Sequence, residues 1–110
     1  MVKEDYTFLN NLIKIGENSD DNDKIISDAN QTDLWFHLAN LSSCHVILSC
    51  SKNNMPTIQM INYCANLVKE NTKFKNLQSV KVHYTQVKNI RKTNIKGKII
   101  IKGKLSDVVI

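Results

Sequence analysis

The stretch Asp33-Leu34-Trp35-Phe36-His37-Leu38 gathers the only tryptophan, one of three phenylalanines and one of three histidines of a lysine-rich chain of 110 residues. Its alternation reads as a β-strand, with Leu34, Phe36 and Leu38 on one face and Asp33, Trp35 and His37 on the other. The run Cys44-His45-Val46-Ile47-Leu48-Ser49-Cys50 repeats the pattern, with Cys44, Val46, Leu48 and Cys50 apolar and His45, Ile47 and Ser49 opposite. Joined through Ala39 to Ser43, the two runs read as an antiparallel hairpin. Residues directly opposite in such a pair share a face, so matching the apolar sides pairs even numbers with even numbers. His37 and His45 then stand together beside Trp35, on the face where function is expected.

Before this hairpin, Tyr6 to Leu9 and Leu12 to Ile15 read as two short strands around the turn-tolerant dipeptide Asn10-Asn11. Gly16 to Ser19 breaks the second strand. Asp20, Asp21 and Asp23 then lead into a short helix through Ala29, with Ser19 or Asn18 as N-cap and the acids favoured by the macrodipole. After the hairpin, Pro56 is expected to open a longer helix running to about Asn71. Ile58, Ile61, Ala65 and Val68, widened by Met60, Cys64 and Leu67, form its sheet-facing stripe, while Asn62, Asn66 and Lys69 face outward.

In the connection that follows, Lys73-Phe74-Lys75 has the basic and aromatic character that stacks on bases, but Phe74 is expected to fold onto the helix end. Val80, Val82 and Tyr84 alternate with Lys81 and His83 as a strand. Lys98 to Lys102 and Leu105 to Ile110 read as further strands around a Gly103-Lys104 turn. The expected fold is α+β: one compact domain over residues 1–110, a mixed and mostly antiparallel sheet with one short and one longer helix, in the order ββαββαβββ.

Charge is segregated along the chain. Residues 1–34 hold three lysines against eight acids, net −5, and residues 35–110 hold twelve basic residues against Glu70 and Asp107, net +10. A positive surface of that strength attracts polyanions by counterion release, nucleic acid foremost; the plain alternative is a solvated lysine surface from a composition of fourteen Lys, fourteen Asn and thirteen Ile. Lys88, Arg91 and Lys92 form the densest basic cluster. No apolar run approaches the roughly 18 residues needed to span a membrane, and the first residues lack an apolar signal segment, so a cytoplasmic, membrane-free protein is expected. Cys44, Cys50 and Cys64 fall on apolar faces without a Cys-x-x-Cys pair and are expected as buried, reduced thiols.

The chemistry excluded is as informative. His37, His45, Cys44 and Asp33 do not make an ordered zinc set, because Cys44 points to the other face, and no metal is expected. Ser42 or Ser43 with His45 and Asp33 would supply the residue types of a hydrolase, yet no glycine-framed elbow accompanies them. With glycines only at 16, 97 and 103, no phosphate-binding loop can be written. No catalytic residue and no cofactor are expected, and the favoured reading of His37 and His45 is a hydrogen-bonded brace of the hairpin.

Four pieces in series resemble the NFACT-R domain, the RNA-binding module of the NFACT proteins of ribosome-associated quality control. They are Gly16-x-Asn18-x3-Asn22-Asp23, Asp33-Leu34-Trp35-Phe36-His37, Ser43-Cys44-His45-Val46-Ile47-Leu48, and Val82-x-Tyr84-Thr85-x-Val87-Lys88-Asn89-Ile90-Arg91-Lys92. The resemblance implies non-catalytic binding of structured RNA, tRNA or large-subunit rRNA on a ribosome, with DNA binding or a protein-interaction module as alternatives. Lys88, Arg91 and Lys92, helped by Lys81 and Lys98, would neutralise phosphates, Arg91 through its planar fork. The resemblance also implies a phosphate contact at Asn18, nucleotide contacts at His37 and His45, and site-shaping roles for Trp35, Asp33, Asn22 and Tyr84. Two departures stand out: Glu17 replaces a residue that is usually basic, and the other domains of the large family members are absent, which leaves a free-standing RNA binder, a competitor for the ribosomal site, or a subunit completed by another chain as the expectations.

Overall fold

The computed structural model describes residues 1–110. In chain order the elements are β1 (Lys3–Asp5), β2 (Ile13–Gly16), α1 (Ser19–Asp28), β3 (Leu34–Leu38), β4 (His45–Leu48), α2 (Ile58–Glu70), β5 (Lys81–Gln86), β6 (Ile90–Lys92), β7 (Ile99–Ile101) and β8 (Ser106–Val109). The register of the central hairpin follows the parity argument: Leu34 pairs with Leu48, Trp35 with Ile47 and Phe36 with Val46. Around it a six-stranded antiparallel sheet forms in the order β1-β2-β4-β3-β5-β8, and β6 and β7 make a separate hairpin. The fold is α+β, as expected.

Alternation along the strands gives the sheet two apolar faces. Phe36, Leu38, Val46, Leu48 and Val82 pack with Cys64, Ala65 and Val68 of α2. On the opposite face Trp35 and Ile47 are sealed by Ile25 and Ile26 of α1 and by Val87 and Ile90, with Ile99 and Ile101 against them. Each fully buried large side chain contributes about 1.5–3 kcal/mol. The face expected to carry function is therefore half core. The end that holds the histidines stays open.

Several expectations need correction. The first strand is Lys3–Asp5 rather than Tyr6 to Leu9, and Tyr6 and Leu9 are 71% and 95% exposed. The Asp5 carboxylate accepts from the Thr7 backbone N–H at 2.8 Å, a local turn that competes with strand pairing. The longer helix begins after Thr57 rather than at Pro56, because the Thr57 hydroxyl accepts from Met60 N–H and caps the first turn. Ile58 thereby sits outside the stripe, 78% exposed. One strand more than expected follows α2: β6, only three residues long, is separated from β5 by a 3-10 turn at Val87–Asn89.

Other local readings hold. Asn18 caps α1, its Oδ1 accepting from Asp21 N–H at 2.8 Å, and Asp20 and Asp21 stand in the first turn. Phe74 packs against the α2 side of the core. Cys44, Cys50 and Cys64 are buried free thiols; burial raises all three, Cys44 and Cys50 to about 11. No helix is long and apolar enough to cross a membrane.

Candidate functional site

A cleft of about 1070 Å³ opens at the uncovered end of the second face. Its floor is Trp35, His37 and His45. Its walls come from Glu17 to Ser19 at the start of α1, the β3–β4 turn, residues 71–73 after α2, and the β6–β7 loop. Strand register makes the floor a row of imidazoles. His37 pairs directly with His83, the His37 and His45 rings are 4.8 Å apart, and all three histidines of the chain line the cleft.

Each ring is held. Trp35 Nε1–H donates to His45 Nδ1 at 3.1 Å, His37 Nδ1–H donates to the Leu38 carbonyl at 2.7 Å, and His83 Nδ1 meets the Asp107 carboxylate on β8. Burial, helped by the neighbouring His37, depresses His45 to about 3. Burial also lowers His37, against the opposing pull of the Leu38 carbonyl. Both rings are neutral at pH 7.

Beside the row, Gly16 pairs with His45, and the Asn22 Oδ1 accepts from His45 backbone N–H at 3.2 Å. A Cβ at Gly16 would lie 2.1 Å from that oxygen. Gly16→Ala should therefore displace Asn22 and cost about 1–3 kcal/mol, read as a lower urea midpoint at unchanged m-value. An unshifted midpoint contradicts this role for Asn22. The expected residues Asn18, Asn22, Trp35, His37, His45 and Lys98 all line the cleft.

Other expected residues lie elsewhere. Asp33 is buried at the head of β3, accepting from Cys50 N–H at 2.9 Å and Asn30 N–H at 2.8 Å. Tyr84 stacks on Phe36 at 5.5 Å on the α2 side. Lys81, Lys88, Arg91 and Lys92 lie outside the cleft, and alternation along β6 sends Arg91 and Lys92 to opposite sides. Lys92 shares the buried side of Ile90 and pairs with Asp23 of α1 at 3.1 Å, while Lys96 pairs with Asp20 at 3.1 Å. The acidic N-terminal third and the basic remainder thus meet within one molecule, each exposed pair contributing about 0–1 kcal/mol.

Sequence reasoning missed three cleft residues: Lys73, His83 and Lys96. Lys73 was visible only as part of a basic and aromatic triplet whose phenylalanine drew the attention. His83 alternates with core Val82, so its face was legible but its neighbour across the sheet was not. Lys96 reaches the cleft because Gly97, at φ 80°, turns the loop against Ser19; a Cβ there would come within 3.1 Å of the Ser19 Cα. No group of three or more His, Cys, Asp or Glu side chains is placed to hold a metal ion. The Ser43 hydroxyl donates to the Cys44 carbonyl and accepts from Leu38 N–H, bonding neither imidazole.

Comparison with known proteins places this geometry. The family model described as the NFACT protein RNA binding domain matches residues 2–107. Coiled-coil domain-containing protein 25 from Mus musculus is 34% identical over 86 residues, covering 74% of this chain and 41% of that protein, and its counterpart from Bos taurus matches equally. The chain thus spans about two fifths of the length of these curated relatives. The solved structure of the C-terminal part of the fibronectin/fibrinogen-binding protein from Streptococcus suis has the same fold, with a TM-score of 0.81 over 92% of this chain and 41% of that one, at 22% identity. With the family match running from β1 into β8, the chain belongs to the NFACT-R family of RNA-binding domains.

Proposed function

We propose that residues 1–110 act as one cytoplasmic RNA-binding unit that takes structured RNA, tRNA or large-subunit rRNA, in ribosome-associated quality control, and performs no catalysis itself. The observation that carries this reading is the open cleft of an RNA-binding family member with Lys73, Lys96 and Lys98 among its lining residues. Those ammonium groups draw phosphates to the opening, and the polar floor supplies hydrogen-bonding groups. Lys81, Lys88 and Arg91, all exposed, add positive charge beyond the cleft, and Lys92 adds to it from its pair with Asp23. The absence of catalysis is supported by the depressed His45 and by a Ser43 that no base touches: a general base works best with a pKa near the operating pH. Other parts of an NFACT assembly, in a further segment or another chain, supply what a single binding unit lacks.

The test is equilibrium binding to tRNA, an rRNA fragment and duplex DNA of equal length across a salt series. RNA is expected to bind in preference to DNA. Lys73→Glu with Lys98→Glu, and separately Lys88→Glu with Arg91→Glu, should each lower affinity and reduce the salt slope by about 0.7–0.9 per lost phosphate contact. Identical weak binding of all three ligands, with folded variants unchanged, removes the proposal.

A further inference from the structure

The hydrogen bonds at the cleft floor fix which nitrogen of each ring carries its proton. An indole N–H can only donate, so His45 Nδ1 accepts from Trp35 and the His45 proton sits on Nε2. A carbonyl can only accept, so His37 Nδ1 carries the proton and its Nε2 keeps a lone pair. No protein group bonds either Nε2, and no buried polar side-chain atom lacks a partner, so both nitrogens open towards solvent in the cleft. Two neutral rings 4.8 Å apart thereby present a donor next to an acceptor.

Resting on the RNA-binding reading above, we propose that the cleft is a subsite for one unpaired nucleobase of RNA, whose edge accepts from His45 Nε2–H and donates to His37 Nε2. Every base carries an adjacent donor and acceptor on its Watson–Crick edge: amino N–H beside a ring nitrogen in adenine and cytosine, ring N–H beside a carbonyl in guanine and uracil. In a duplex that edge is already used, so the subsite takes a loop, bulge or strand end. Trp35 is 2% exposed and cannot stack on a base; it acts as a positioning residue that sets the His45 tautomer. Leu41 in the β3–β4 turn and Ile95 in the β6–β7 loop, 37% and 55% exposed, line the cleft and offer apolar surface to the base. With the phosphates held by the lysines, the order of donor and acceptor separates adenine and cytosine from guanine, while uracil, whose ring N–H lies between two carbonyls, offers both orders.

Acidification tests the same pair from the other side. Protonating His37 turns its acceptor into a second donor, and the match is lost while positive charge is gained. The groups facing His37 are His45 on β4, His83 on β5 with Asp107 behind it on β8, the Leu38 carbonyl, and the charged lining groups Glu17, Lys73, Lys96 and Lys98. Base preference should therefore narrow as the pH falls below the ordinary imidazole range, below which burial holds His37, while total affinity for RNA holds or rises.

The experiment measures binding of short RNAs that carry a single base among abasic positions, against a matched RNA duplex, in a salt series. A preference of about tenfold or more between guanine on one side and adenine and cytosine on the other is expected, with the duplex weaker. His37→Phe should abolish the preference and leave the salt slope unchanged; Trp35→Phe should narrow it, and nitrogen NMR should show His45 losing its single tautomer. Methylating the donor nitrogen of the preferred base should remove the preference in the unaltered protein, a result independent of whether any variant folds. If all four bases and the duplex bind alike, or if the preference survives in folded His37→Phe, the subsite is overturned while RNA binding stands. Failure of every RNA to bind overturns both.

Discussion

Asp33→Ala should lower the stability of the domain by about 2–4 kcal/mol. The carboxylate is 4% exposed, and its two oxygens take two separate backbone donors, Cys50 N–H at 2.9 Å and Asn30 N–H at 2.8 Å. It therefore ties the head of β3 both to the chain leaving β4 and to the loop after α1. Alanine strands the buried Cys50 donor and leaves the Asn30 donor, on an exposed residue, to water. A buried donor left without a partner costs about 1–3 kcal/mol, and the cavity from the lost carboxylate adds to it. Against a typical total of about 5–15 kcal/mol, the loss is large enough to populate unfolded chains near physiological temperature. Asp33→Asn keeps one acceptor oxygen and turns an amide N–H towards the other donor, so it should fall between alanine and wild type. Urea unfolding measures all three, and an alanine variant less than about 1 kcal/mol below wild type contradicts the bracing role.

Asp33 also shows how far the sequence reaches. Its place at the head of a strand was legible, because alternation over Leu34, Phe36 and Leu38 fixes the strand and its faces. The parity of two such strands was enough to bring His37 beside His45, since a hairpin leaves few registers that bury both apolar sides. The third imidazole was beyond that argument. His83 joins the row only because β5 pairs with β3 across the intervening helix, and alternation gives the face of a residue, never the identity of a non-local neighbour. The same limit scattered the basic cluster. Lys88, Arg91 and Lys92 are contiguous in sequence, but the 3-10 turn and the pleat of β6 separate their directions, and Lys92 faces Asp23 of α1. Tyr6 to Leu9 had the composition of a strand. The Asp5 side chain, by bonding Thr7 N–H, decided otherwise.

Stability should fall by about 2–3 kcal/mol between pH 7 and pH 4.5, from His45 alone. In the unfolded chain this imidazole titrates near 6.5; in the fold, burial and then the neighbouring His37 hold it down to about 3. Above pH 6.5 neither state binds the proton, so the shift contributes nothing to the balance. Below 6.5 the unfolded state gains a proton that the folded state refuses, so stability drops as pH falls, by about 1.4 kcal/mol per unit until the folded value is reached. His37, lowered by burial as well, adds to the loss in the same direction. Asp5 and Asp21, held below the ordinary carboxylate range, lose their stabilising contacts only at lower pH. The interval from 6.5 to 4.5 therefore isolates the histidines. His45→Asn offers an acceptor to Trp35 Nε1–H without a titrating ring; it should be less stable at pH 7 through lost packing, yet lose most of the dependence on pH in this interval. Urea midpoints at several pH values make the comparison. A wild type that is equally stable at pH 7 and 4.5 would show that His45 takes up a proton as readily in the fold as in the unfolded chain, and that the cleft floor is not the neutral surface described above.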